Sequence, residues 1–289
     1  MAKDYLLRAL AGALLALGAP GTGRGDPSLL VSPRSVRPGD VVLVTVREAA
    51  GPPSGRIAGR DLRFYPVSGG WQALAALPVE TAPGTLEVEV EAPAGAGGPA
   101  QPVRAGLEVV EPKFASAELG VAPRFLNPPP QARKRMEADQ AAFRKAFDQP
   151  FGALLIAAPF AAPREAEVTG SFGDQRVFNG KKRSQHYGED LAGAVGEPVR
   201  AANDGRVVLA RDCYASGRSV VIWHGANLFS VYFHLSRMAV KAGDEVRRGQ
   251  LLGQVGRTGR VTGPHLHWGT KVGDLYVDPR SVLRLTFAD

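Results

Sequence analysis

Ser219-Val220-Val221-Ile222-Trp223-His224, followed by Gly225-Ala226-Asn227 and then Leu228-Phe229-Ser230-Val231-Tyr232-Phe233-His234-Leu235-Ser236, is the stretch on which the fold turns. Two runs rich in β-branched and aromatic residues flank a short turn, the pattern of an antiparallel hairpin. Side chains alternate along the return strand, which sets Phe229, Val231, Phe233 and Leu235 on one face and Ser230, Tyr232, His234 and Ser236 on the other. The first set predicts an apolar layer, and His234 is expected to point away from it, toward water or a cleft. His224, at the end of the hairpin, reads as structural or surface rather than chemical.

Further along, Gly263-Pro264-His265-Leu266-His267-Trp268-Gly269 reads as another strand. Its alternation puts His265 and His267 on the same side, about 7 Å apart, with Leu266 and Trp268 toward the core. Upstream lies Gln185-His186-Tyr187-Gly188-Glu189-Asp190. Gly188 and the flanking Gly170, Gly173, Gly180, Gly193 and Gly196 oppose a helix there, so a loop entering a strand is expected. Imidazole nitrogen and carboxylate oxygen are both zinc ligands, and a bent loop can bring His186 and Asp190 onto one ion. Taken singly, a His-x-x-x-Asp and a His-x-His are also common as idle polar pairs, and residue type alone leaves both readings open.

The rest of the chain is consistent with a mainly β protein. With 289 residues, 44% of them hydrophobic, it can bury a core, which excludes wholesale disorder. Thirty-five Gly and 23 Pro predict many turns and short strands and argue against a helical bundle. Thirty-five Lys and Arg against 28 Asp and Glu give a formal charge of +7, which favours anionic partners. The single Cys213 excludes an intramolecular disulfide and a Cys-based zinc cage, and reads as a small buried residue. No recognition-helix or aromatic-stacking pattern accompanies the positive charge, so nucleic acid is not expected as a partner.

Four segments follow from composition. Residues 1–25 carry Lys3 and Arg8, then a short apolar run from Ala9 to Ala19 and a Pro/Gly turn, the order of a secretory signal peptide. No apolar run approaches the ~20 residues of a membrane span, so no stable membrane insertion is expected once such a signal is removed. Residues 26–112 hold short strand-like segments such as Val41–Val46, Leu62–Tyr65 and Leu86–Val90 between turn clusters, and predict a β-sandwich-like module. Residues 113–150 read as a Pro-rich linker at Asn127–Pro130 and one amphipathic helix from Gln131 to Phe147, with Met136, Phe143 and Phe147 near one stripe. Residues 151–289 contain every histidine of the chain and are expected to form an antiparallel β-domain that carries the chemistry.

Read in order, His186-x-x-x-Asp190, Tyr232-Phe233-His234-Leu235-Ser236 and Thr262-Gly263-Pro264-His265-Leu266-His267 resemble the M23 (LytM/lysostaphin-type) zinc metallopeptidases. Gly196-Glu197-Pro198-Val199, Asn203-Asp204-Gly205-Arg206-Val207, Gly243-Asp244-Glu245-Val246, Gly249-Gln250-Leu251-Leu252-Gly253 and Val277-Asp278-Pro279 extend the resemblance over roughly residues 168 to 282. It implies a compact antiparallel β peptidase domain with Zn²⁺ at the floor of an open groove. It further implies that His186, Asp190 and His267 ligate the metal, and that His234 and His265 are catalytic histidines that do not. The implied substrate is the peptide cross-links of peptidoglycan, and the implied location is secreted or periplasmic.

Three protein ligands leave zinc a fourth position for water, whose pKa the ion lowers toward ~7, and a neighbouring imidazole can take the proton. No His-Glu-x-x-His segment is present, so the base is not the helix glutamate of thermolysin-like enzymes. Glu189 would point away from Asp190 in a strand and is assigned no role. Arg176 reads either as a bidentate contact for a substrate carboxylate or as one half of a structural ion pair. Two other functions fit parts of the pattern: a catalytically inactive wall-binding activator of other hydrolases, which loss of ligands would signal, and a secreted protease acting on Gly-rich proteins.

Overall fold

The computed structural model describes residues 26–94, 99–180 and 182–287. The secretory-signal reading of residues 1–25 lies outside the described residues. Among the described residues no helix is long and apolar enough to cross a membrane.

The N-terminal strands form two sheets. A four-stranded sheet runs Ser28–Ser32, Val41–Arg47, Gly70–Ala76, Phe64–Val67, and a five-stranded sheet runs Ser35–Val36, Ala100–Val109, Gly84–Pro93, Ser54–Ile57, Arg60–Asp61. Val42, Val44, Val46, Val88, Val90 and Leu107 fill the space between them. Val41 to Val46 are all buried, which a strand with one wet face does not allow. The reason lies on the other side: Val41 and Leu43, with Leu74 and Ala76, belong to the core of the histidine-bearing half. This four-stranded sheet therefore separates two cores, and an unbroken apolar run is what a strand covered on both faces requires.

The second half is built on an eight-stranded sheet. Its main path runs Val168–Gly170, Glu189–Ala192, His265–Val272, Leu228–Leu235, Gly217–Trp223, Gly205–Cys213, Glu245–Val246, with Leu275–Val277 paired to His265–Val272. The hairpin forms where the sequence predicts it, with Gly225 at φ +88° and Ala226 at φ +43° turning the chain. One face of the sheet buries Val220, Ile222, Tyr232, Leu266 and Trp268. The other carries Val221, Phe229, Val231 and Phe233, and the helix Pro130–Phe147 lies across it. Phe143 meets Phe233 edge-on at 5.7 Å between ring centroids, and Phe147 meets Phe229 at 5.2 Å. Met136 lines an apolar recess beside the same helix.

The segment before that helix is more than a spacer. Ser116–Leu119 pairs in parallel with Gln175–Phe178, which pairs antiparallel with Lys182–Gln185, so the connector adds a strand to a small sheet that overhangs the large one. Cys213 is buried, and burial raises its thiol pKa.

Candidate active site

The His265–Val272 strand is the floor of the site. Leu266 and Trp268 are buried at 0% and 1% exposure, whereas His265 and His267 look outward together. Asp190 is the direct cross-strand partner of His267, so the two side chains share a face. His186 enters from the preceding loop. Its Nδ1–H donates to the carbonyl of Ser171 at 2.8 Å, which leaves the Nε2 lone pair aimed inward.

Three ligand atoms converge. His186 Nε2 lies 3.1 Å from Asp190 Oδ1 and 3.0 Å from His267 Nδ1, and the last two are 3.0 Å apart. Ligands about 2.0–2.1 Å from a tetrahedral zinc ion sit about 3.3 Å from one another, so a triangle of this size fits one such ion standing above it. The inward atoms are one carboxylate oxygen, one imidazole nitrogen whose proton is committed elsewhere, and a second imidazole nitrogen. One shared proton cannot serve all three, and a divalent cation can. Among the described residues this is the group of His, Cys, Asp and Glu placed to hold a metal.

Neighbouring groups hold the triangle in shape. Arg176 Nη2 donates to the outer oxygen of Asp190 at 2.5 Å. Burial alone would raise the Asp190 carboxyl, but close contact with the ring nitrogens of His186 and His267, 3.1 and 3.0 Å away, holds it well below the usual range. Burial pushes His267 down to about 4. Phe233 stacks on the His267 ring, 5.2 Å between centroids and 7° between planes. On the opposite side Gly188 leaves no room for a side chain, since a Cβ there would fall 2.6 Å from His267 Cε1 and Nε2.

His234 and His265 flank the triangle, their ring centroids 5.0 Å apart. His234 Nδ1–H donates to the carbonyl of Thr258 at 2.8 Å, and His265 Nδ1–H to that of Gly263 at 3.0 Å. With Nδ1 engaged on the backbone, Nε2 is the nitrogen of each ring left for chemistry, and that of His265 stands 3.6 Å from Asp190 Oδ1. Burial, with smaller contributions from the charges of His267 and His265, pushes His234 down to about 3.

The route by which His234 reaches the site differs from simple alternation. Ser230 and Tyr232, its expected face-mates, are fully buried in the core, while Phe233 is on the site face. A left-handed residue breaks the alternation: His234 has φ +64°, and the pairing with Gly217–Trp223 shifts register between Arg218 and Val220. Both Phe233 and His234 then line the groove. Such a conformation costs a non-glycine residue about 1–3 kcal/mol and concentrates at functional sites.

The remaining candidates resolve differently. His224 is fully buried, with Nδ1 at 2.6 Å from the Asp204 carbonyl and Nε2 at 2.7 Å from Ser230 Oγ, so both nitrogens are occupied within the core. Glu189 faces away from the triangle and pairs with Arg280 at 2.5 Å. Burial pushes it up to about 7 although Arg280 opposes the shift. Arg176, with two readings open from sequence, is the structural ion-pair partner of Asp190.

The groove over the triangle has a volume of about 430 Å³. Its walls include Ala117, Leu119 and Val121 from the connector and Arg260 from the loop before the His-x-His strand, none of which sequence reasoning singled out. Nothing local in residues 116–121 signals this, because their place depends on a parallel pairing with residues far along the chain.

Known proteins agree with this geometry. The peptidase family M23 model matches residues 184–279. The chain is similar to a peptidoglycan DD-endopeptidase, ShyA, of Vibrio cholerae, at 44% identity over 102 residues, 35% of this chain and 24% of that protein. It is also similar to a DD-carboxypeptidase/endopeptidase, Mpg, of Neisseria meningitidis, at 40% identity over 97 residues, 34% of this chain and 22% of that one. The chain thus spans about a quarter of the length of these relatives. A crystal structure of a Pseudomonas aeruginosa protein assigned to peptidase M23 superposes with a TM-score of 0.64 at 29% identity, covering 86% of this chain and 94% of that one. Residues 184–279, which contain all three converging ligand atoms and both flanking histidines, therefore belong to peptidase family M23.

Proposed function

We propose that this chain is a zinc-dependent endopeptidase that hydrolyses peptide cross-links of bacterial peptidoglycan in the cell envelope. The observation that carries the reading is the mutual 3.0–3.1 Å approach of His186 Nε2, Asp190 Oδ1 and His267 Nδ1 at the floor of an open groove. The names of relatives that act on peptidoglycan support the substrate. So does the charge of residues 151–289, with 18 Lys and Arg against 13 Asp and Glu, a field that attracts a polymer bearing free carboxylates.

His186, Asp190 and His267 hold the metal in this reading, and zinc there supplies Lewis-acid polarisation and a coordination position open to solvent. Arg176 fixes the Asp190 carboxylate so that one oxygen faces inward. His234 and His265, each with its Nδ1–H on a backbone carbonyl, stand where one can accept the attacking water's proton at Nε2 and deliver a proton to the leaving amine nitrogen. Phe233 and Gly188 keep the His267 ring in its plane.

Digestion of purified sacculi by the zinc-loaded protein, with identification of the released peptides, tests the proposal. Newly freed cross-link peptides that disappear with a zinc chelator are the expected result. Intact cross-links after exhaustive digestion would refute it.

A further inference from the structure

Two arginines and two carboxylates line the groove, and they are unevenly paired. Asp174 lines it, but its two oxygens are taken by the backbone N–H groups of Ala115 at 2.9 Å and Ser171 at 3.0 Å. Asp190 is surrounded by His186, His267 and Arg176. Of the two arginines that line the groove, Arg176 is committed to Asp190. Arg260 is not: among the described residues its guanidinium makes no ion pair and no hydrogen bond. Burial and the charge of Arg176 both work against its protonated form, and no carboxylate offsets them.

Arg260 is held in position rather than loose on the surface. Its backbone N–H donates to the Ala215 carbonyl at 2.7 Å. Gly259, at φ +77°, packs so closely on Ala215 and Gly217 that a Cβ there would fall 2.4 Å from Gly217 N. Two residues before Arg260, the Thr258 carbonyl accepts from His234. The same loop thus orients His234 and presents Arg260. The guanidinium rests over the Phe178 ring of the overhanging sheet, 4.8 Å from its centroid, so its flat face is covered and its N–H edge remains available.

We propose that Arg260 is a recognition residue for a free carboxylate of the bound peptide, which it grips through paired N–H donors beside the metal triangle. A planar guanidinium backed by an aromatic ring matches a carboxylate with two parallel hydrogen bonds, and half-burial strengthens them. The inference deepens the peptidase reading and rests on it for the identity of the ligand as a peptide. The carboxylate can be the peptide's own C-terminus or an acidic side chain, and the same contact serves either.

The test measures binding without turnover. Three short probes are titrated calorimetrically into the zinc-loaded full chain: acetyl-Lys-D-Ala as the free acid, acetyl-Lys-D-Ala amide, and acetyl-Lys-D-Glu amide. We expect one of the two acids to bind about tenfold more tightly than the neutral amide, and which acid does so identifies the carboxylate. Arg260→Gln should erase that preference while zinc content stays unchanged, and Arg260→Lys should keep part of it. A merely structural clamp between Arg260 and Phe178 would leave the acid-to-amide ratio where it was. Equal binding of all three probes, no binding of any, or an acid preference that survives Arg260→Gln through direct contact with the metal would each overturn the inference. Intact sacculi together with a preference that Arg260→Gln abolishes would instead defeat the peptidase reading and leave the carboxylate site standing.

Discussion

At the residue scale, the two classes of histidine make separate predictions. His267→Ala removes one corner of the ligand triangle and should abolish zinc binding, whereas His234→Ala should retain zinc and lose turnover. Metal content of both purified variants, measured beside activity, checks this, and equal zinc loss in the two would defeat the division of roles. Gly188→Ala is predicted to weaken zinc binding by at least tenfold without touching a ligand, because its Cβ would displace the His267 ring. A zinc affinity equal to that of the unmodified chain would contradict that account. The shared face of His265 and His267 was legible in the sequence because side chains alternate along a strand, while the choice of His186, Asp190 and His267 as ligands followed from the resemblance to the M23 peptidases. The turn of His234 was not, since a positive φ at one non-glycine residue has no local signature. Arg260 stands out only by elimination, once Asp174, Asp190 and Arg176 are seen to be committed elsewhere.

Among the elements, the helix Pro130–Phe147 has the clearest energetic role. It covers the site-bearing face of the sheet beyond the triangle through Phe143, Ala146 and Phe147. Phe147→Ala removes edge-on contacts with Phe229 and Tyr276, and, since the ring is only partly buried, it should cost about 2 kcal/mol rather than the 3–5 of a fully buried ring. Urea unfolding measures the loss, and an unchanged midpoint would mean the helix is not docked in solution. Its apolar stripe was readable from residues 131 to 147, but not the surface it covers. A helical pattern names the buried face and leaves its partner open. The connector strand Ser116–Leu119 was invisible for a related reason: a parallel pairing with Gln175–Phe178 is set by long-range topology.

Over the whole molecule, the two halves share a core rather than hang on a tether. Gly39 accepts from the Asp278 backbone at 2.7 Å, Val41 donates to Ser281 Oγ at 3.1 Å, and Arg284 reaches Asp40 at 3.2 Å, while Val41 and Leu43 enter the core of the second half. The uninterrupted apolar run from Val41 to Val46 is the sequence trace of this arrangement. Global stability should also show a histidine signature. Burial pushes His224 down to about 4, whereas in the unfolded chain it titrates near 6.5. Below pH 6.5 the unfolded state takes up a proton that the folded state refuses, so this contribution is present above that pH and is lost as pH falls toward 4, by about 3 kcal/mol in full. Unfolding measured at pH 7, 5.5 and 4 should show the decline, and His224→Gln, less stable at pH 7, should show a shallower one; parallel slopes would refute the assignment. The central claim is that one zinc ion, held by His186, Asp190 and His267, makes this groove a hydrolase, and titrating zinc into the chelated full chain while following release of cross-link peptides from sacculi tests it most directly. The rate should rise from zero and break at one equivalent of zinc per chain, and full activity in the zinc-free protein, or none after one equivalent has bound, would contradict it.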